Sequence, residues 1–156
     1  NQKGFLFRAK QKYVPIREFT PRLLQKVFNV TTNYVKTNND FTDVIRKDFG
    51  FIPLICFESI FSEFTAKNST NSNLIILASS EAFMNNSHYG KKQYVNIVKI
   101  RAIESGRYIV KCSDQGISCV INQKGDIKKI ISKEIENTNV KLLAKNTFYQ
   151  TLLTKI

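Results

Sequence analysis

An α/β domain with a largely covered sheet is predicted from three features of the 156-residue chain. Short apolar runs bounded by turn residues alternate with segments whose apolar residues recur at helical spacing, as in strands joined by helical crossovers. Two of these runs, Phe51-Ile52-Pro53-Leu54-Ile55 and Leu74-Ile75-Ile76-Leu77-Ala78, are apolar without alternation, which is the mark of strands buried on both faces. The apolar share of 42% is enough, at this length, for one domain with a real core.

Near the start, Gly4-Phe5-Leu6-Phe7 and Tyr13-Val14 read as extended, and Pro15 stops any helix there. Thr20-Pro21 opens a helix with Leu23, Leu24, Val27 and Phe28 on one face. Residues 29–43 are polar and turn-rich, which suits a surface loop. The strand ending at Ile55 is bounded by Gly50 and Pro53, and Ser59 is placed to cap a following helix that carries Ile60, Phe61 and Phe64. The strand over residues 73–78 is closed by Ser79-Ser80, and residues 81–92 read as irregular. Residues 93–104 carry Tyr94, Val95, Val98 and Ala102 at helical spacing, with Gly106 positioned to end the helix. Strands over 108–112 and 117–121 follow, and then a hairpin through Asn122-Gln123-Lys124-Gly125-Asp126 into 127–131.

Composition narrows the function. Three cysteines, at 56, 112 and 119, have no close pair, which argues against a disulfide framework and for free thiols. With His88 the sole histidine, neither a zinc site nor a His cluster is predicted, so no metal and no cofactor is expected. A formal net charge of +12 draws the chain toward polyanions, but its lysines are scattered and no helix-turn-helix, zinc-finger or RNA-recognition signature is present. Nucleic acid is therefore not an expected partner. No run approaches the roughly 20 apolar residues of a membrane span. The chain opens on Asn1 with no signal-peptide layout, and a piece of a longer protein is expected.

The chemistry centres on Cys56. Ile55-Cys56-Phe57-Glu58 ends an apolar run abruptly at a thiol and an acid, the layout of a nucleophile at a strand end. A thiol at a strand-to-helix junction would lie near the positive end of the helix dipole, which favours the attacking thiolate. A small buried structural cysteine would produce the same local pattern.

Several stretches together resemble one family. Lys10-Gln11-Lys12-Tyr13-Val14-Pro15-Ile16-Arg17-Glu18 is similar to the lysine block of bacterial apolipoprotein N-acyltransferases, members of the carbon-nitrogen hydrolase (nitrilase) superfamily. Ile55-Cys56-Phe57-Glu58 resembles their nucleophile block, Leu77-Ala78-Ser79-Ser80-Glu81-Ala82-Phe83 their Asn-Asp-Ala-Trp loop, and Arg101-Ala102-Ile103-Glu104-Ser105-Gly106-Arg107 the end of their Gln-His helix. Gln115-Gly116-Ile117-Ser118 and Asn146-Thr147-Phe148-Tyr149 resemble the remaining blocks, and all occur in family order. The resemblance implies the later portion of a nitrilase-like α-β-β-α sandwich, a single partial catalytic domain over residues 1–156.

It also implies a mechanism. Cys56 would attack a phospholipid ester to form a thioester, which the N-terminal cysteine amine of a lipoprotein then takes up. Lys10 and the amide of Phe57 would stabilise the oxyanion, Glu18 and Glu58 would orient the lysine, the loop or the amine, and Glu81 and Phe83 would belong to the substrate loop. The family's general-base glutamate lies upstream of its lysine block, and no acidic residue precedes Lys10 here. The segment is accordingly expected to be inactive alone, within a parent whose membrane helices place this domain on the periplasmic side of a bacterial inner membrane. Arg17, Ser80, Phe83, Tyr94 and Asp114 depart from the family's Gly, Asn, Trp, His and Asn. A soluble nitrilase-type amidase using the same Cys, Lys and Glu set, or a non-catalytic binding domain, would fit the same residues.

Overall fold

Residues 44–46, 49–84, 87–132 and 137–155 are described by the computed structural model. The elements expected over residues 4–7, 13–14 and 20–28 and the loop over 29–43, together with Lys10 and Glu18, lie outside the described residues. Strands β1 (Val44–Arg46), β2 (Phe49–Ile55), β3 (Leu74–Ser80), β4 (Tyr108–Asp114), β5 (Cys119–Ile121) and β6 (Ile127–Ile130) form one mixed sheet in sequence order. The central β2, β3 and β4 are parallel, and the flanking pairs β1–β2, β4–β5 and β5–β6 are antiparallel.

Parallel neighbours need crossovers, and the helices supply them. Between β2 and β3 run a 3-10 turn, Cys56–Ile60, and helix α1 (Ser62–Asn68). Between β3 and β4 run a second 3-10 turn, Ala82–Met84, and helix α2 (His88–Ser105), while α3 (Phe148–Leu153) closes the described chain. The three helices pack on one another, so both crossovers cover the same face of the sheet.

Strand alternation explains what that face buries. Register aligns Ile52, Ile75, Ile109 and Ile121 across four strands, and all four are completely buried. The next inward row is Leu54, Leu77, Lys111 and Cys119, equally buried although one member is a lysine. One step further the row turns polar, with Ser79 opposite Ser113. The candidate site residues Cys56, Glu58 and Glu81 lie there, at the carboxyl ends of the parallel strands, where crevices in such sheets form.

Several expectations need correction. β2 runs through Pro53 rather than starting after it, in a stretch where the described pairing to β1 has already ended at Phe51. Ser79 and Ser80 extend β3 rather than ending it. The helix predicted from residue 93 starts at His88, because the Ser87 hydroxyl accepts the Gly90 amide at 3.1 Å and caps it. Gly90 therefore lies in a first helical turn, not in an irregular segment. Ser59 caps no helix. The chain instead takes a 3-10 turn, breaks at Phe61 and begins α1 at Ser62, leaving Ile60 and Phe61 partly exposed while Phe64 is buried.

The Arg-Ala-Ile-Glu-Ser-Gly-Arg stretch ends α2 and fastens the tail. Gly106 adopts φ 61°, a conformation that a side chain disfavours, and a Cβ there would meet the Thr147 methyl at 2.7 Å. Arg107 is fully buried and donates to the carbonyls of Ser72 at 2.5 Å and Lys145 at 2.7 Å and to Asn146 Oδ1 at 2.8 Å. Arg107→Met should lower unfolding stability by about 3 kcal/mol, since the carbonyls lose charged donors. Arg107→Lys should recover only a fraction, because an ammonium cannot span both sets of acceptors. Urea titration monitored by circular dichroism reads both.

Candidate active site

Cys56 leaves β2 and enters the 3-10 turn with φ 46°, an unusual value for a residue with a Cβ. Its thiol is partly exposed and lies 3.8 Å from the Ser80 carbonyl at the end of β3. Its own carbonyl points into the core. There the Tyr94 hydroxyl donates to it at 2.7 Å and the Ser59 hydroxyl approaches it at 2.9 Å, with the two hydroxyls 2.8 Å apart. Glu58, in the same turn, is buried, and its carboxylate accepts the Ile55 amide at 3.0 Å. Phe57 stacks edge-on against Phe61 with centroids 5.6 Å apart.

The polar row beneath is built around an ion pair. Lys111 Nζ donates to Glu81 Oε1 at 2.5 Å and to the Ile117 carbonyl at 2.8 Å, and it sits 5.1 Å from the centroid of the Tyr94 ring. The same Glu81 oxygen accepts the hydroxyls of Ser113 at 2.7 Å and Ser79 at 3.0 Å. Burial alone would raise the Glu81 pKa, but hydrogen bonds from Lys111 and Ser113, the Lys111 charge and the Ser79 hydroxyl together hold it below its ordinary value. Burial drives the Tyr94 phenol well above its usual range, with negative charge at Cys56 and Glu81 adding to the shift. Tyr94 is therefore a neutral donor at physiological pH.

Cys56, Phe57 and Glu58 are thus brought together in one turn, with β3's end alongside. Lys10 and Glu18 lie outside the described residues. Of the two loop residues, Phe83 is 74% exposed, but Glu81 is not presented to the surface as a loop residue would be. Its carboxylate is turned inward because it is the counterion of a buried lysine. The expected dipole of an α-helix starting beside Cys56 also needs correction, since α1 begins only at Ser62. Sequence reasoning passed over Lys111 and took Tyr94 for a core residue. A lone charge inside the apolar strand Tyr108-Ile109-Val110-Lys111 was the available signal for the first. Among the described residues no cluster of His, Cys, Asp or Glu could hold a metal.

The carbon-nitrogen hydrolase family model matches residues 6–151. The chain belongs to the carbon-nitrogen hydrolase family. Apolipoprotein N-acyltransferases of Pseudomonas syringae pv. tomato and Wigglesworthia glossinidia brevipalpis are each 29% identical to this carbon-nitrogen hydrolase chain. The alignments cover 76% and 80% of the chain but 24% and 27% of those proteins, so it spans about a quarter of their length. A carbon-nitrogen hydrolase from Helicobacter pylori G27, 14% identical, matches with a TM-score of 0.55 over 64% of this chain and 42% of its own. An amidase from Nesterenkonia sp. AN1, bearing the Michael adduct of acrylamide at its active-site cysteine, is 16% identical with a TM-score of 0.53 over 76% and 47%. The fold is that of the nitrilase superfamily, as the sequence predicted.

A carboxyl whose pKa is lowered on folding stabilises the protein above its unfolded pKa, and that contribution disappears as pH falls through the folded value. The Glu81–Lys111 pair should therefore contribute fully above about pH 5 and be lost on further acidification. Glu81→Gln should flatten the dependence of the urea midpoint on pH in the acid range relative to the unaltered protein. Lys111→Met, which leaves a buried carboxylate without its cation, should cost about 3–5 kcal/mol at neutral pH in the same titration.

Proposed function

We propose that this chain carries the nucleophile of an N-acyltransferase that moves an acyl chain from phospholipid to the N-terminal cysteine amine of a lipoprotein through a thioester on Cys56. The observation that carries the reading is the placement of Cys56: a partly exposed thiol on a strained turn at a strand end, with its backbone carbonyl tied into the core. Such turns lift a nucleophile clear of the sheet edge so that a carbonyl carbon can approach it. The name shared by the relatives, apolipoprotein N-acyltransferase, supports acyl transfer to an amine over transfer to water.

In the proposed reaction the Cys56 sulfur attacks the ester carbonyl, a C–S bond forms, and the carbonyl oxygen takes up the negative charge. Collapse of that centre breaks the ester C–O bond, and the thiol's proton leaves with the departing alcohol. The lipoprotein amine then attacks the thioester, forming the amide, and a proton returns to the sulfur. Lys10 and the Phe57 amide are assigned to the oxyanion, Glu18 and Glu58 to orientation, and exposed Phe83 to the acyl chain. Glu58 suits a supporting role because its carboxylate is buried and holds the turn that carries Cys56. We assign the general base to a carboxylate of the parent protein other than Glu18 and Glu58, and the segment by itself to an inactive state. We assign the parent to a bacterial inner membrane, with this domain on the periplasmic side. Among the described residues no helix is long and apolar enough to cross a membrane.

Mass spectrometry of the full-length parent protein after incubation with phospholipid tests the reading. The expected result is one acyl mass on Cys56, lost on adding an N-terminal cysteine peptide and absent from Cys56→Ala. Lys10→Ala should slow acylation by about 10²–10³-fold. Hydrolysis of a small amide with no acyl transfer would mark an amidase, and unchanged function in Cys56→Ser would mark a binding domain.

A further inference from the structure

We propose that Tyr94 and Ser59 are positioning residues that aim the Phe57 amide at the reacting carbonyl by holding the Cys56 carbonyl in the core. The inference rests on the thioester reading above and deepens it. In a trans peptide the carbonyl of one residue and the N–H of the next lie in one plane and point in opposite directions. No cis bond occurs among the described residues, so the Cys56 carbonyl and the Phe57 N–H form such an antiparallel pair. Whatever pins the carbonyl inward therefore turns the amide outward, toward the side from which a substrate must approach the thiol.

Two hydroxyls do the pinning. Tyr94 donates to the carbonyl oxygen at 2.7 Å and Ser59 lies 2.9 Å from it, and both residues are buried. Three oxygen contacts share two hydroxyl protons, because Ser59 and Tyr94 are also 2.8 Å apart. Ser59 can give its proton to the carbonyl or to the phenol oxygen, and Tyr94 can give its own to the carbonyl or to the Ser59 oxygen. Because the two cannot donate to each other at once, every arrangement leaves at least one hydroxyl proton on the Cys56 carbonyl. The phenol is in turn fixed from below by its ring contact with Lys111, itself held by Glu81 and the Ile117 carbonyl. Because burial keeps the phenol protonated, the clamp does not loosen as the medium becomes moderately alkaline. A turn residue at φ 46° would otherwise be free to rotate its following peptide and relieve its strain.

Two reactions of the same sulfur separate this role from a merely structural one. Attack on an ester builds an oxyanion, whereas displacement of iodide from iodoacetamide takes place at saturated carbon and builds none. In the full-length parent protein, single-turnover acylation of Cys56 by p-nitrophenyl butyrate and its alkylation by iodoacetamide are both followed by mass on the Cys56 peptide. Tyr94→Phe keeps the ring against Lys111 and should slow acylation by about tenfold or more, with alkylation unchanged; loss of a whole oxyanion donor would cost about 10²–10³. Ser59→Ala should act in the same direction and more weakly, and it carries the test alone if Tyr94→Phe does not fold. An equal fall in both reactions would mean that the hydroxyls only support the fold, and acylation unaffected by either variant would mean that the amide needs no such aim. Either result overturns the proposal. If the unaltered parent protein is alkylated at Cys56 but never acylated there, the thioester reading itself fails and the clamp has no oxyanion to serve.

Discussion

One buried ammonium sets the arrangement of everything near the thiol. Lys111 occupies a position in a cross-sheet row whose other members are Leu54, Leu77 and Cys119, and none of the four is exposed. A charge in that setting is unfavourable unless it is paired and hydrogen-bonded, and the fold meets this requirement from three elements. Glu81 supplies the counterion from the end of β3, Ile117 a carbonyl from the turn after β4, and Tyr94 the face of a ring from α2. A single carboxylate oxygen gathers Lys111, Ser79 and Ser113, which ties the ends of β3 and β4 together, and the ring contact of Lys111 with Tyr94 adds α2. Gly116 completes the enclosure: a Cβ there would overlap the Glu81 carboxylate and the Ser113 hydroxyl.

The turn at Cys56 is built against this rigid floor. Holding a residue with a Cβ in the left-handed region costs on the order of 1–2 kcal/mol, which the surroundings must offset. The offsetting bonds are the core contacts of the Cys56 carbonyl and the acceptance of the Ile55 amide by Glu58, one on each side of the strained residue. The sulfur itself is left with a long contact to the Ser80 carbonyl and partial access to the exterior. Cys119 provides the contrast within the same chain. It sits in the row of Lys111, buried between strands, and burial pushes its thiol pKa up, so it packs as an apolar side chain.

The central architecture was legible in the sequence as apolar runs, and those through Leu54 and Leu77 are the parallel strands β2 and β3. The expectation of burial on both faces needs correction among the described residues, since the helices cover one face, and on the other Ile76 is only partly buried and Ala78 is exposed. Gly106 and Gly125 were legible for a different reason: both take positive φ, 61° and 81°, where glycine is favoured. The errors lie where a local signal has two meanings. Ser59 has the composition of a helix cap, yet its hydroxyl turns back to the Cys56 carbonyl in its own 3-10 turn instead of capping α1, a local side-chain bond that competes with capping. Tyr94 was read by its ring, which does pack in the core, while its hydroxyl reaches a backbone atom 38 positions away. Glu81 was grouped with a surface loop because its counterion, Lys111, is 30 positions distant. Periodicity identifies faces and cannot pair charges across a sheet.

Arg107 gives the tail a role that its lack of regular structure conceals. Residues 144–146 contribute two carbonyls and an amide oxygen to a guanidinium that also grips Ser72 from the turn before β3. Gln150 adds a second tether by donating to the Ala66 carbonyl and the Ser69 hydroxyl at the end of α1. A protease nick among residues 137–143 would thus leave the cut ends joined through the core: the terminal segment should stay docked in native gel filtration and separate from the rest only when the whole domain melts.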